Sequence, residues 1–132
     1  MFNKFFSFLK TIFYIANFVL ISLYVFPGSI LGWFLYSDAN LQPKISPDFI
    51  VSSNHVYAFS VLTILGYISY ESIKLNLVFI YLFFISIFLE LLHFIIPNRG
   101  FEYSDLFGNI AGVLIIYTYF QFYKIFLRKN DR

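Results

Sequence analysis

The chain has 132 residues, 60% of them hydrophobic and 12% charged, whereas ordinary soluble domains are roughly 25% charged. It contains no cysteine, which excludes disulfides, thiolate catalysis and cysteine-based zinc sites. The formal net charge is only +2, and the basic residues form no stripe with interleaved aromatics, so nothing supports nucleic-acid binding. Several apolar segments approach or exceed the length that crosses a bilayer, which indicates an integral membrane protein.

The first predicted span covers about residues 5–26 and ends at Pro27-Gly28, a helix-breaking pair. Lys4 and Lys10 accompany apolar sequence, as they would in a signal peptide. Because the apolar run is long and no small-residue cleavage site follows it, we expect a retained membrane anchor.

A connector of residues 27–48 follows, and it has its own apolar patch at residues 30–36. Trp33 and Tyr36 within this patch suit the membrane interface, where an aromatic ring lies at headgroup level. Two prolines keep the second half of the connector out of regular helix. We therefore expect a short interfacial helix between the first and second spans.

The second span is short for a transmembrane helix. Its purely apolar part, residues 56–70, is 15 residues long, less than the ~20 that cross a bilayer. We therefore expect the helix to cover residues 50–70 and to bring Asn54 and His55 to its rim.

The third and fourth spans are predicted at residues 75–96 and 104–126. Pro97 should end the third span. Ser104 is a suitable N-cap for the fourth, with Asp105 in its first turn.

Four spans place both termini on one side of the membrane, and the basic residues indicate which side. Seven lie on the side of the termini and two on the other, so the positive-inside rule makes both termini cytoplasmic. The seven are Lys4, Lys10, Lys74, Lys124, Arg128, Lys129 and Arg132, and the two are Lys44 and Arg99.

In this topology, polar residues from three predicted spans lie within about two turns, or ~10 Å, of the outer boundary. Ionisable residues inside a bilayer are rare and usually face a helix partner or a polar cavity. We therefore expect an outward-facing polar pocket between the second, third and fourth spans. The residues in question are His55, Glu90, His93, Asp105 and Asn109.

The order of polar residues around the third and fourth spans resembles a known family. The chain reads Glu90-x-x-His93, Pro97-x-Arg99 and Asp105-x-x-x-Asn109-x-x-Gly112. This order resembles the VanZ-like family of small bacterial membrane proteins over residues 48–115, with His55 matching the histidine that opens the second helix of the family. The sequence departs from the family at His93, where relatives carry Gln, and at Val51 and Ser52, where an Asp-Lys pair commonly stands.

The resemblance implies a single VanZ-like membrane domain over residues 1–132, in the bacterial cytoplasmic (inner) membrane. The family is named for a member associated with low-level resistance to the glycopeptide antibiotic teicoplanin. We therefore expect a role in the cell envelope, in which the protein binds an amphiphilic or lipid-linked ligand at the outer face. The predicted ligand-binding residues are His55, Glu90, His93, Arg99, Asp105 and Asn109.

Two of these residues have alternative structural roles. Arg99 could hold a phosphate or carboxylate headgroup, or it could pair with Asp105 or Glu90 and join the ends of two helices. Glu90 could hydrogen-bond Asn109 or His55 across a helix interface.

An enzymatic alternative is hydrolysis or transfer on a lipid phosphate or ester, with His55 as general base. Glu90 or Asp48 would orient the imidazole, and Arg99 would stabilise charge. No motif marks a nucleophile, and Ser52, Ser53 and Ser104 are candidates only by proximity.

Two further alternatives concern metals and assembly. Glu90-x-x-His93 resembles the ligand spacing of helix-bundle metal sites, but the chain has only two histidines and relatives carry Gln at the second position. We therefore expect no metal or other cofactor. The last alternative is a structural subunit of a larger membrane complex with an unidentified protein partner.

Overall fold

The computed structural model describes residues 2–70 and 74–130, and these residues form helices joined by loops, with no strand. The helices are α1 (Phe2–Val25), α2 (Ile30–Tyr36), α3 (Ser53–Ser69), α4 (Leu75–Leu92) and α5 (Tyr103–Asn130). The prediction of an all-α protein is confirmed. Of the basic residues in the topology count, Arg132 lies outside the described residues, and the side chains of Arg128 and Lys129 are not described.

Within the described residues, three helical segments are long and apolar enough to cross a membrane. They are Lys4–Val25, Leu75–Leu92 and Tyr103–Leu127. The chain is therefore a multi-pass membrane protein by the length and composition of its helices. The predicted second span corresponds to α3, which has 17 residues and is not among the three.

The predicted short helix of the connector is present as α2. Ser29 caps its first turn, because the Ser29 Oγ accepts a hydrogen bond from the Gly32 N–H at 2.9 Å. Ser37 ends it in the left-handed region, with φ of 56°. A Cβ at Gly32 would lie 1.6 Å from the Leu41 carbonyl oxygen, so the connector returns across α2 at a distance that only glycine permits.

The helix α3 begins at Ser53, later than the predicted start at residue 50. The Asp48 Oδ1 accepts a hydrogen bond from the Ser53 N–H at 2.9 Å, and the Ser52 N–H donates to the Ser104 carbonyl at 3.1 Å. These N–H groups bond to a side chain and to another helix, and the residues before Ser53 therefore form a turn in place of a further helical turn.

The helix α4 ends at Leu92, four residues before the predicted end at residue 96. The N–H groups of Phe94 and Ile95 each bond to a carbonyl three residues earlier, so the segment 93–96 forms tight turns in place of α-helix. Asn98 then adopts a left-handed φ of 58° and redirects the chain toward α5.

The helix α5 begins at Tyr103, so the prediction that Ser104 is its N-cap is wrong. The Glu102 carbonyl accepts hydrogen bonds from the N–H groups of Asp105 and Leu106 at 3.2 and 3.0 Å, which places Ser104 inside the helix. Asp105 lies in the first turn, as predicted.

The packing of α3 against α5 is the most extensive helix contact in the described part of the chain. It depends on two glycines of α5, because a Cβ at Gly108 would lie 2.8 Å from the Ser52 carbonyl oxygen and one at Gly112 would lie 2.6 Å from that of Val56. The predicted small-x-x-x-small pair thus admits a neighbouring backbone. The core includes Phe13, Leu20, Tyr24, Phe59, Leu62, Val78, Leu82, Leu89 and Val113.

A polar pair joins α1 to α4 midway along the bundle. The Asn17 Nδ2 donates to the Phe13 carbonyl at 2.8 Å, and the Tyr81 Oη donates to the Asn17 Oδ1 at 2.7 Å. Large aromatic side chains such as Phe18 and Phe84 are exposed on the outside of the bundle, as expected for a surface that contacts lipid.

Candidate functional site

Four helix ends meet at one end of the bundle and bring six polar side chains together. The end of α1 supplies Tyr24, the start of α3 His55, the end of α4 Glu90 and His93, and the start of α5 Asp105 and Asn109. We call these residues the polar cluster. All are buried except Asp105, which is partly exposed.

Asn109 determines the hydrogen-bond directions within the polar cluster. Its Nδ2 donates to the Ser86 carbonyl at 3.0 Å, which fixes the orientation of the amide. Its Oδ1 therefore faces Tyr24 and His55. The Tyr24 Oη donates to this oxygen at 2.5 Å, and the His55 Nδ1 lies 2.9 Å from it.

The tautomer of His55 follows from these contacts. An amide oxygen only accepts hydrogen bonds, so the His55 Nδ1 carries a proton and donates it to Asn109. The Tyr24 Oη lies 2.8 Å from the same nitrogen. The other ring nitrogen, Nε2, is 3.3 Å from the Asp105 Oδ2.

Glu90 is fully buried, and its two carboxylate oxygens have different surroundings. Oε1 accepts a hydrogen bond from the Glu102 N–H at 3.2 Å and lies 3.2 Å from the His93 Nδ1. Oε2 has no hydrogen-bond partner among the described residues. The prediction that Glu90 hydrogen-bonds Asn109 or His55 is therefore wrong, because Oε1 contacts His93 and the Glu102 backbone instead.

His93 connects this carboxylate to α1. Its Nε2 lies 3.2 Å from the Tyr24 carbonyl, which only accepts, so this nitrogen is protonated. The ring also stacks on the Tyr24 ring, with centroids 5.5 Å apart. The His93 imidazole thus has a packing role in addition to its hydrogen bonds.

Arg99 does not pair with Asp105 or Glu90, so that part of the prediction is wrong. Its Nη2 and Nε donate to the carbonyls of Leu23 and Phe26 at 2.7 and 3.2 Å, and its Nη1 donates to the Gln42 Oε1 at 3.3 Å. The guanidinium satisfies carbonyls that the end of α1 leaves without intrahelical partners. Burial lowers the pKa of Arg99, although nearby acidic groups oppose the shift.

Asp48 caps α3 and contacts neither Glu90 nor the imidazole in the hydrogen bonds described. Its Oδ2 accepts from the Lys44 Nζ at 2.5 Å, and its Oδ1 accepts from the Ser53 N–H. These bonds lower the pKa of Asp48, with the Lys44 bond as the largest cause. The carboxylate beside His55 is therefore that of Asp105, and the hydroxyl beside it is that of Tyr24.

A cavity of about 570 Å³ lies between α1, α2, the connector and α3. The predicted pocket between the second, third and fourth spans is therefore wrong in its position, because the polar side chains of α3, α4 and α5 pack against one another and against Tyr24. His55, His93 and Arg99 line the cavity, whereas Glu90, Asp105 and Asn109 do not. Most of the remaining wall is apolar and includes Val19, Leu20, Leu23, Leu35, Val61 and Leu62.

The sequence analysis missed Tyr24 and Ser86, which both contact Asn109. Tyr24 is one of 11 tyrosines, and its position next to the last residue of α1 resembles that of an interfacial anchor. Ser86 acts through its backbone carbonyl, which no side-chain pattern reveals.

Three side chains of the polar cluster lie close enough together to offer one ligand atom each to a metal ion. A ring nitrogen of His55 and one carboxylate oxygen each from Glu90 and Asp105 all lie within 4.8 Å of one another.

Comparisons of the chain with protein-family models, curated proteins and solved structures found no match. The function proposed below is therefore inferred from the geometry and from the sequence resemblance.

Proposed function

We propose that this protein binds an amphiphilic, lipid-linked ligand of the cell envelope at the outer face of the bacterial cytoplasmic membrane. The observation that carries the proposal is the apolar cavity of about 570 Å³ with His55, His93 and Arg99 in its wall. Ligand pockets of ~300–1,000 Å³ with mostly apolar walls and a few polar groups are typical of small-molecule sites.

The proposal includes four membrane spans with both termini in the cytoplasm. The helix α3 would be the additional span, and its 17 residues extend about 26 Å at ~1.5 Å per residue. That length is somewhat less than a hydrocarbon core of ~30 Å, so polar residues at the start of α3 would lie near the outer interface. Close packing of α3 on the longer helix α5 supports its placement within the membrane.

The cavity wall suits a ligand that enters from the lipid phase. Leu35 and Val61 line the cavity and are also 59% and 57% exposed, so the cavity opens between helices toward the surrounding lipid. An acyl or isoprenoid chain would occupy the apolar part. The resulting burial of apolar surface is the main source of affinity for such a chain.

Arg99 is the group best suited to the headgroup. A guanidinium has five N–H donors, and the three hydrogen bonds to Leu23, Phe26 and Gln42 leave two of them. These two donors and the positive charge favour phosphate. The proposal includes a VanZ-like role in glycopeptide resistance, with which such a headgroup is consistent.

The test is binding of a lipid-linked phosphate, measured by native mass spectrometry and by photocrosslinking with an isoprenyl-phosphate probe. Val61→Trp should fill the cavity and reduce crosslinking at least tenfold. Ile80→Trp is the matched control, because Ile80 is an exposed residue of α4 outside the cavity, and it should leave crosslinking unchanged. Equal crosslinking of both variants would mean that the probe contacts the protein only as surrounding lipid.

A second candidate function is hydrolysis or transfer on the bound lipid, and one observation favours it. His55 lines the cavity, and its Nδ1 donates to the Asn109 Oδ1, which leaves Nε2 as the basic nitrogen and is an arrangement that can orient a general base. Release of phosphate or fatty acid by the purified protein, abolished by His55→Gln, would support catalysis. Binding without turnover would leave the ligand-binding proposal alone.

A further inference from the structure

One carboxylate oxygen of Glu90 has no hydrogen-bond partner in the described residues, and it lies in the polar cluster beside His55 and Asp105. This points to a function of the polar cluster beyond ligand binding in the cavity. We propose that His55, Glu90 and Asp105 form a binding site for a divalent transition-metal ion, with Zn²⁺ and Mn²⁺ as the best-suited ions. This proposal does not rest on the amphiphile proposal, because only His55 is shared between the two sites.

The spacing of the ligand atoms is suitable for such an ion. The His55 Nε2 and the Asp105 Oδ2 are 3.3 Å apart. Zinc–ligand bonds of ~2.0–2.2 Å at tetrahedral angles place neighbouring ligand atoms about 3.4 Å apart. The ligand atom of Glu90 lies within 4.8 Å of both other ligands, so a small side-chain adjustment completes a three-ligand site.

The free oxygen of Glu90 is an independent indication of a cation. Glu90 is 0% exposed, and its Oε2 has no hydrogen-bond partner in the described part of the chain. Buried charges in proteins are normally paired or coordinate metals. The His93 Nδ1 lies 3.2 Å from the other oxygen, Oε1, and Arg99 donates to Leu23, Phe26 and Gln42, so neither group pairs with Oε2.

The groups behind the ligands have the hydrogen bonds that metal sites use. Metal-binding histidines generally donate the second ring N–H to a carbonyl or carboxylate, and the His55 Nδ1 donates to the Asn109 Oδ1. Asn109 is in turn held by the Ser86 carbonyl. The Glu90 Oε1 is held by the Glu102 N–H, and Oε2 is the oxygen left without a hydrogen-bond partner in the described residues.

The donor set determines the class of metal. One imidazole and two carboxylates suit zinc, manganese or iron, whereas the all-oxygen sites of Ca²⁺ and Mg²⁺ lack the imidazole. Access is available through Asp105, because its side chain is 21% exposed while those of His55 and Glu90 are buried.

The test uses the full chain purified in detergent, stripped with a chelator and titrated with ZnCl₂, MnCl₂ or MgCl₂. Isothermal titration calorimetry and elemental analysis should give one Zn²⁺ or Mn²⁺ per chain, with Mg²⁺ bound at least 100-fold more weakly. X-ray absorption of the zinc form should show only nitrogen and oxygen ligands at about 2.0–2.1 Å. Failure to bind Zn²⁺ and Mn²⁺ at 100-fold excess over protein would overturn the proposal.

Variants then assign the ion to this site. Glu90→Gln and Asp105→Asn should each reduce Zn²⁺ affinity at least tenfold, and circular dichroism would verify that each variant is folded. Glu102→Gln is the matched control, because it removes a nearby acidic side chain that is exposed and outside the proposed ligand set. Unchanged affinity in folded Asp105→Asn would overturn the assignment, as would an equal loss in Glu102→Gln.

A further variant separates this proposal from the first. Val61→Trp, which should abolish lipid crosslinking, should bind Zn²⁺ like the unmodified protein. Loss of both activities in Val61→Trp would overturn the independence of the two sites.

Discussion

Two buried polar positions of this bundle differ in how completely their atoms are hydrogen-bonded. Asn17 uses its Nδ2 for the Phe13 carbonyl and its Oδ1 for the Tyr81 hydroxyl. Glu90 is also buried, yet its Oε2 has no partner within residues 2–70 and 74–130. A polar group buried in an apolar bundle is therefore not by itself a sign of function. The incomplete hydrogen bonding of an ionisable group is the more specific sign.

The largest expected difference is between Asn109, which belongs to the polar cluster with Glu90, and Asn17. Asn109→Ala removes one donor to Ser86 and the acceptor of Tyr24 and His55, whereas Asn17→Ala removes two hydrogen bonds. We expect about 2–4 kcal/mol lost from the free energy of unfolding for Asn109→Ala and about 1–2 kcal/mol for Asn17→Ala. Reversible unfolding in mixed micelles would measure both values, and equal losses would contradict the ranking.

A second comparison uses two glycines at helix contacts: Gly112, on the same helix as Asn109, and Gly66, which packs against α1 and α4. A Cβ at Gly112 would lie 2.6 Å from the Val56 backbone oxygen, whereas one at Gly66 would meet the Val78 side chain at 2.7 Å. Because backbone yields less than a side chain, Gly112→Ala should destabilise by about 1–3 kcal/mol and Gly66→Ala by less. Thermal unfolding in one detergent would compare them, and a greater loss at Gly66 would show that α3 and α5 can separate without penalty.

The tyrosines that bond to Asn17 and Asn109 provide a smaller contrast, in which the larger loss of stability is expected on the Asn17 side. Tyr81→Phe leaves the Asn17 Oδ1 without its hydroxyl donor, whereas Tyr24→Phe leaves the Asn109 Oδ1 bonded to His55. We expect a loss of about 1–2 kcal/mol for Tyr81→Phe and about 1 kcal/mol for Tyr24→Phe. The same unfolding assay applies, and a greater loss for Tyr24→Phe would indicate that His55 cannot satisfy Asn109 alone.

The smallest expected effect is at the exposed Lys44–Asp48 pair, which serves as a reference outside the bundle. The hydrogen bonds from Lys44 and the Ser53 N–H lower the pKa of Asp48 below the ordinary value of 3.8. A lowered pKa stabilises the folded state above the unfolded-state value, and this contribution disappears as pH falls through the folded-state value. Asp48→Asn should therefore lower the melting temperature slightly at pH 7, and the difference from the unmodified protein should shrink below about pH 4. A difference that is as large at pH 3 as at pH 7 would contradict the ionic origin.

The sequence predicted the helical elements better than their ends. The apolar segments indicated α1, α4 and α5, and the patch at residues 30–36 indicated α2. The ends of α3 and α4 differed because Asp48 bonds to the Ser53 N–H and because residues 93–96 turn before Pro97. Both effects depend on local hydrogen bonds that apolar periodicity does not contain.

The grouping of His55, Glu90, Asp105 and Asn109 was also foreseeable from the sequence. Successive antiparallel helices place the end of one beside the start of the next, so residues near these ends share a depth whatever the details of packing. The partner of Arg99 was not foreseeable, because the carbonyls of Leu23 and Phe26 are 76 and 73 residues away in the chain and every residue carries the same carbonyl.

The sequence alone determined that this chain forms apolar helices and that His55, Glu90, Asp105 and Asn109 lie near successive helix ends on one side, because burial and hydrogen bonding constrain helix length and polarity directly. Only the tertiary structure decided that Tyr24 completes the polar cluster, that the cavity lies beside α1 and α2, and that one oxygen of Glu90 remains free. These features depend on helix rotation and on which side chains meet across interfaces. Those contacts are decided by the packing of the whole bundle, and no local pattern of residues specifies them.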